Sequence, residues 1–251
     1  LPDVYSGASS TISAFMITAI KITAFALIVR VSIFLWVPQI FGPGTKMHTL
    51  LYVVALMSLA LGAFVGLRQN NLKRIFAYSS IAHTGFILMG LICLKGDPNS
   101  AAFNAVVSYL LFYVIAAFGA FAFLHLLKAD ILKNYDLENL NGLYHRSPVV
   151  AICLTVFLLS MAGIPPTIGF FGKYYVILVA IKSGELTLAI AAILSSLTAA
   201  YFYIRPIANM FFKESNATID DLYAEKFSVK ALMVGACCLV LIIPLFYNIL
   251  S

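Results

Sequence analysis

"MAGIPPTIGFFGKYY", residues 161–175, interrupts what would otherwise be one long apolar run. That run extends from 149 to 182, well beyond the ~20 residues a helix needs to cross a bilayer. Pro165 and Pro166 remove two backbone donors and clash with the preceding turn. Gly163, Gly169 and Gly172 weaken the helix further. The pattern predicts two half-helices joined at membrane depth, discontinuous at Gly163–Pro166. Irregular backbone at that depth is tolerated only against protein or water, and transporters line ion sites with it. A plain proline kink is the bland alternative. Lys173, about two turns past Pro166, favours the functional break, because a buried lysine marks an ion path.

The rest of the chain supplies the context for such a break. Of 251 residues, 62% are hydrophobic and 10% charged, against ~25% charged in a soluble domain. The expected fold class is all-α integral membrane, with a single transmembrane domain over 1–251 and seven spans. They fall near 11–36, 48–67, 73–94, 101–127, 149–182 (the broken one), 187–212 and 228–249. The net charge of +6 reports topology, not nucleic acid. Alternate loops carry Arg68, Lys73, Arg74, Lys128, Lys133, Arg146, Lys213 and Lys226; the others carry only Lys46, Lys95 and Lys182. The positive-inside rule puts the first set, and Leu1, on the cytoplasmic side and Ser251 on the opposite side. Segment 128–147 alternates charges with Leu132, Leu137, Leu140 and Leu143. It reads either as a short surface helix against another subunit or as a solvated loop.

A second lysine, Lys21, lies near the middle of "AFMITAIKITAFALIVR", residues 14–30. Lysine there costs ~3 kcal/mol on insertion scales, and a ~6 Å stem cannot snorkel across a ~15 Å half-bilayer. Burial disfavours the charged form of a lysine and a nearby anion restores it, so such a group suits proton transfer. All ten acids lie in loops or at span ends, so both central lysines lack an intramembrane counter-ion in this chain. His83 is central in the third span; Ser79 and Ser80, four and three residues before it, share its helix face. With Thr84, these groups either hold a proton-conducting water chain or only bond neighbouring helices. Tyr109, on a polar stripe of the fourth span with Asn104, Ser108 and Tyr113, is a further lining candidate. Cys93, Cys153, Cys237 and Cys238 read as inert buried thiols. No metal-ligand spacing, Walker loop, dinucleotide fingerprint or haem motif occurs.

Three stretches resemble a known family: "LPDVYSGASSTISAFMITAIKITAFALIVR" (1–30), "LRQNNLKRIFAYSSIAHTGFILMGL" (67–91) and "MAGIPPTIGFFGKYYV" (161–176). They are similar to the N-subunit family of bacterial NADH:quinone oxidoreductase, respiratory complex I, and the "PDVY" form is the N-subunit variant. The resemblance implies a fourteen-helix antiporter-like fold built on two inverted five-helix repeats, of which this chain is the C-terminal half. It implies that Lys21 is the central lysine joining two half-channels. Lys173 then belongs to the second broken helix beside the outward half-channel, and His83 to the polar third helix of the repeat. It implies a proton-translocating subunit of an oxidoreductase complex, in an energy-transducing membrane such as the bacterial inner membrane. The expected partners are other membrane subunits and lipid, with no nucleic acid. This chain would carry no cofactor of its own; flavin, iron–sulfur clusters and quinone would be bound by other subunits. Two rivals stay open: a sodium/proton antiporter subunit of the same fold, and a structural subunit with a closed channel.

Overall fold

The computed structural model describes residues 2–34, 42–95, 97, 100–126, 135–214 and 227–250, with side chains of the last helix described to 244. A short α1 (Pro2–Gly7) leads into α2 (Ser10–Phe34), which contains one π-helical turn at Met16–Ile20. Then follow α3 (Lys46–Leu67), α4 (Leu72–Ile92) and α5 (Ala101–Leu126). A 3-10 turn (Leu137–Leu140) and the short α6 (Leu143–Arg146) precede α7 (Pro148–Ala162). The chain continues through α8 (Ile168–Lys182), α9 (Leu186–Phe212) and α10 (Phe227–Leu250). Among the described residues, six helical stretches are long and apolar enough to cross a membrane, and α7 with α8 forms the broken crossing. The protein is a multi-pass, all-helical membrane protein.

Local chemistry sets the helix ends. Thr45 and Asn71 accept hydrogen bonds from His48 N–H (3.2 Å) and Arg74 N–H (3.3 Å), capping α3 and α4. Gly163, at φ +83°, takes the left-handed conformation that ends α7. Its N–H donates to the carbonyls of Leu159 and Ser160. The Pro165–Pro166 peptide is cis, and Thr167 opens α8 with its hydroxyl on the Ile164 carbonyl at 2.7 Å. Across the break, Gly169 N–H donates to Ser160 Oγ at 3.2 Å and ties the two half-helices together. A methyl group on Gly169 would sit 1.8 Å from the Ser160 carbonyl oxygen, so only glycine permits this approach.

Helix α4 is the most enclosed element. It packs against α3 through small residues, with Gly62 on the backbone of Ala82, the means by which membrane helices gain contact without a hydrophobic driving force. Two apolar clusters fill the interior. The first takes Leu72, Ile75, Phe76 and Ala77 with much of α5 and α7; the second takes Phe86, Ile87, Leu91 and Leu94 with Phe25, Val106 and Val176. On α4, Ser79, Ser80 and His83 lie between the two.

Three expectations are corrected. Lys73 is not a loop charge: it is buried in the first turn of α4, its amine 2.7 Å from the Ala8 carbonyl and 4.2 Å from the Tyr135 ring centroid. Leu137, Leu140 and Leu143 are neither solvated nor turned outward; all three are buried in the first cluster, the first two from the 3-10 turn and Leu143 from α6. Leu132 lies outside the described residues. Cys238 is exposed on the outer face of α10, whereas Cys93, Cys153 and Cys237 are buried.

Candidate functional site

The π-helical turn Met16–Ile20 ends at Lys21. Such single-turn distortions recur at functional positions. Lys21 is partly buried, and its amine turns inward to donate to the Ser80 carbonyl (2.7 Å) and Ser80 Oγ (3.0 Å). It also lies 4.4 Å from the centroid of the Tyr113 ring. A cation over an aromatic face is stabilised without a counter-anion.

Ser79, next along α4, shares a short hydrogen bond with the Tyr203 hydroxyl of α9. Tyr203 lies 3.4 Å from His83 Nε2. The opposite ring nitrogen, Nδ1, meets the Tyr109 hydroxyl of α5 at 2.6 Å. The imidazole is thus held by a hydroxyl at each nitrogen, so that a proton can arrive at one and leave from the other. Ser79, Ser80, His83, Tyr109, Tyr113 and Tyr203 are all buried. Thr84 returns its hydroxyl to the Ser80 carbonyl (2.9 Å), which it shares with Lys21.

Lys173 is buried on α8 and reaches back over the break. Its amine donates to the Ala162 carbonyl (2.7 Å), one of the last carbonyls of α7, and to Ser196 Oγ of α9 (2.9 Å). An acceptor at a helix C-terminus carries partial negative charge, which suits an amine. Gly163 makes the reach possible: a methyl there would lie 2.7 Å from Lys173 Cδ. The Phe86 ring lies beside both Lys173 and Tyr109, with the amine 5.3 Å from its centroid and the Tyr109 ring stacked at 5.7 Å. An apolar groove of about 270 Å³, lined by Phe170, Tyr174, Ile193 and Leu197, opens beside the Lys173 amine.

The structure therefore places Lys21 on Ser80, His83 between Tyr203 and Tyr109 with Ser79 on Tyr203, and Lys173 on Ala162 and Ser196, a row of three separate polar groups. It breaks α7 from α8 at Gly163, Pro165 and Pro166. Neither central amine meets a carboxylate among the described residues. Tyr203 and Ser196 are additional members of the row. Nothing in the sequence singles out either: Ser196 and Tyr203 reach this row only through the packing of α9. Among the described residues no group of three His, Cys, Asp or Glu could hold a metal ion.

Comparison with known proteins bears on this arrangement. Residues 1–198 match the family model described as "NADH:quinone oxidoreductase/Mrp antiporter, TM". The NADH-quinone oxidoreductase subunit N of Bdellovibrio bacteriovorus is 42% identical over 220 residues, covering 87% of this chain and 44% of that protein. A chain of respiratory complex I from Thermus thermophilus with bound aureothin superposes with a TM-score of 0.81 at 30% identity, covering 98% of this chain and 52% of the other. A chain of the Mrp complex from Dietzia sp. DQ12-45-1b shares the fold at 18% identity, with a TM-score of 0.81, 100% of this chain and 53% of the other covered. The chain spans about half the length of the curated relatives it matches.

Proposed function

The chain belongs to the NADH:quinone oxidoreductase/Mrp antiporter transmembrane family, and from that premise we propose that it relays protons within a complex I-type NADH:quinone oxidoreductase. The observation that carries this reading is the polar row itself. Two lysines, Lys173 buried and Lys21 partly so, neither on a carboxylate among the described residues, flank a histidine bonded at both ring nitrogens. Nothing in a merely structural bundle requires that arrangement.

In this reading Lys21 takes a proton from residues outside this chain and holds it against Ser80 and the Tyr113 ring. The proton passes by Ser79 and Tyr203 to one nitrogen of His83 and leaves from the other toward Tyr109. Lys173 receives it beyond Phe86 and releases it on the side opposite Leu1. Like charges repel, so protonation of one lysine favours release from the other. Quinone reduction, with its flavin and iron–sulfur clusters, belongs to other subunits of the complex, and this chain contributes no redox centre. It acts as one transmembrane domain among neighbouring antiporter-like subunits in a bacterial inner membrane, with Leu1 cytoplasmic.

The test replaces Lys21 and Lys173 by methionine, singly and together, in the intact complex reconstituted into vesicles. The relay requires loss of acidification and of coupled quinone reduction with assembly retained. Retention of both activities in the double variant would leave a structural subunit. Transport that depends on sodium would move the assignment to a sodium/proton antiporter.

A further inference from the structure

Lys73, 1% exposed, is more completely buried than Lys173, yet it lies off the proton path. A buried lysine is costly and persists where it has a task. Its amine, in the first turn of α4, lies 2.7 Å from the Ala8 carbonyl and 4.2 Å from the centroid of the Tyr135 ring. That ring is itself fixed to α4: Leu72 N–H donates to the Tyr135 carbonyl at 2.8 Å, and Leu137 N–H to the Asn70 carbonyl at 2.9 Å. On the other side, Ala8 forms the corner between α1 and α2. Its N–H closes α1 by donating to the Val4 carbonyl at 3.0 Å, and Ser9 caps α2 by accepting from Ile12 N–H at 3.4 Å. Carbonyls at a helix end run short of intrahelical donors, and Lys73 supplies one to Ala8.

Two lysines therefore tie α2 to α4, at different heights. Along α2, Lys21 lies thirteen residues past Ala8, ~20 Å at ~1.5 Å per residue. Along α4, Ser80 lies seven residues past Lys73, only ~10 Å. Helix side chains point back toward the N-terminus, so Lys73 reaches back to Ala8 and Lys21 reaches back to Ser80. Two stems of ~6 Å each cover the ~10 Å difference with little to spare. A slide of α2 by one residue, ~1.5 Å, would pull one amine or the other off its acceptor. We propose that Lys73 is a positioning residue: by holding the Ala8 carbonyl it fixes the height of α2 against α4, and so keeps the Lys21 amine within reach of the Ser80 carbonyl. This role rests on the relay reading and adds to it a residue that carries no proton. Other contacts of α1 do not replace it. Arg74 and Asp3 also join α4 to α1, but their side chains are 44% and 86% exposed, and exposed pairs contribute little. Ser13 Oγ donates to the Tyr5 carbonyl at 3.0 Å, which ties α1 to α2 and not to α4. Tyr5, whose hydroxyl bonds Ser80, depends on the same placement of α1.

The experiment uses the intact complex in vesicles, with Lys73→Met, Ser80→Ala, the two combined, and Arg74→Ala as a control at the exposed pair. Lys73→Met keeps most of the apolar stem and removes the donor. It is expected to slow quinone reduction and acidification together by about tenfold at equal assembled complex, the equivalent of one hydrogen bond. Arg74→Ala should match wild type. Because Lys73 acts through the Lys21–Ser80 contact, its loss should add less than about threefold in the Ser80→Ala background, whereas a merely structural residue would multiply the two defects in full. A density map of Lys73→Met should place the Lys21 amine beyond hydrogen-bond reach of the Ser80 carbonyl. Wild-type rates in Lys73→Met, fully multiplied defects in the double variant, or a Lys21–Ser80 contact unchanged in the map would overturn the positioning role. If Lys21→Met is slow at the same time, the relay itself stands. If Lys21→Met also runs at wild-type rates, the relay reading fails and the positioning role fails with it. Should Lys73→Met not assemble, Lys73→Gln takes its place with the same expected slowing, since its neutral amide falls one bond short of Ala8.

Discussion

Gly163→Ala probes the join between the broken helix and its lysine. Gly163 has φ +83°, where an L-residue carries a strain of ~1–2 kcal/mol. Its new methyl would also stand 2.7 Å from Lys173 Cδ and 3.2 Å from Lys173 Nζ. The amine must then move, and it gives up one of its bonds to the Ala162 carbonyl and Ser196 Oγ. A hydrogen bond to a charged group is worth ~1.5–3 kcal/mol. The two effects sum to roughly 2.5–5 kcal/mol as an upper bound, since Lys173 is flexible. Gly44 separates them: it has the same φ of +83° but open space around its Cβ position. Gly44→Ala therefore carries the backbone strain alone. Thermal unfolding of the assembled complex should place Gly163→Ala below Gly44→Ala by ~1.5–3 kcal/mol. Coupled quinone reduction and acidification should fall about tenfold or more in Gly163→Ala only. Equal stability and equal rates in the two variants would refute the claim that Gly163 exists to admit Lys173.

Other consequences follow from the same packing. Gly62→Ala would place a methyl 2.4 Å from the backbone nitrogen of Ala82, with no flexible atom to yield; it should cost at least ~1–3 kcal/mol and reduce assembled complex on a native gel. Tyr203→Phe strips a partner from both Ser79 and His83 Nε2. It should cost ~1–3 kcal/mol in stability and slow coupled turnover; unchanged turnover would remove Tyr203 from the path.

The break was legible because two adjacent prolines and Gly163 leave no helical alternative within an apolar run. Lys21, His83 and Lys173 were legible because charge and imidazole at mid-span are expensive enough to need a reason. Ser79 and Ser80 followed from helix spacing alone. Tyr203 was hidden, since a tyrosine two residues before Arg205 reads as an interface anchor. Instead Arg205 bonds the Leu67 and Gln69 carbonyls and Asn70 Oδ1, and that staple holds α9 where Tyr203 meets α4. Lys73 was misread because positive-inside counting treats every basic residue near a span end as solvated, whereas Ala8, just past α1, and Tyr135 close over this one. The leucines of 137–143 showed an amphipathic pattern but not which surface it would cover. The π-helical turn before Lys21 leaves no composition signal at all.

The most direct measurement is quinone reduction and vesicle acidification followed together in the intact complex carrying Lys173→Ala. The account predicts that both collapse while the complex still assembles, because the buried amine is an obligatory carrier. Both activities at wild-type levels would contradict it and leave the lysine as a structural clamp across the helix break.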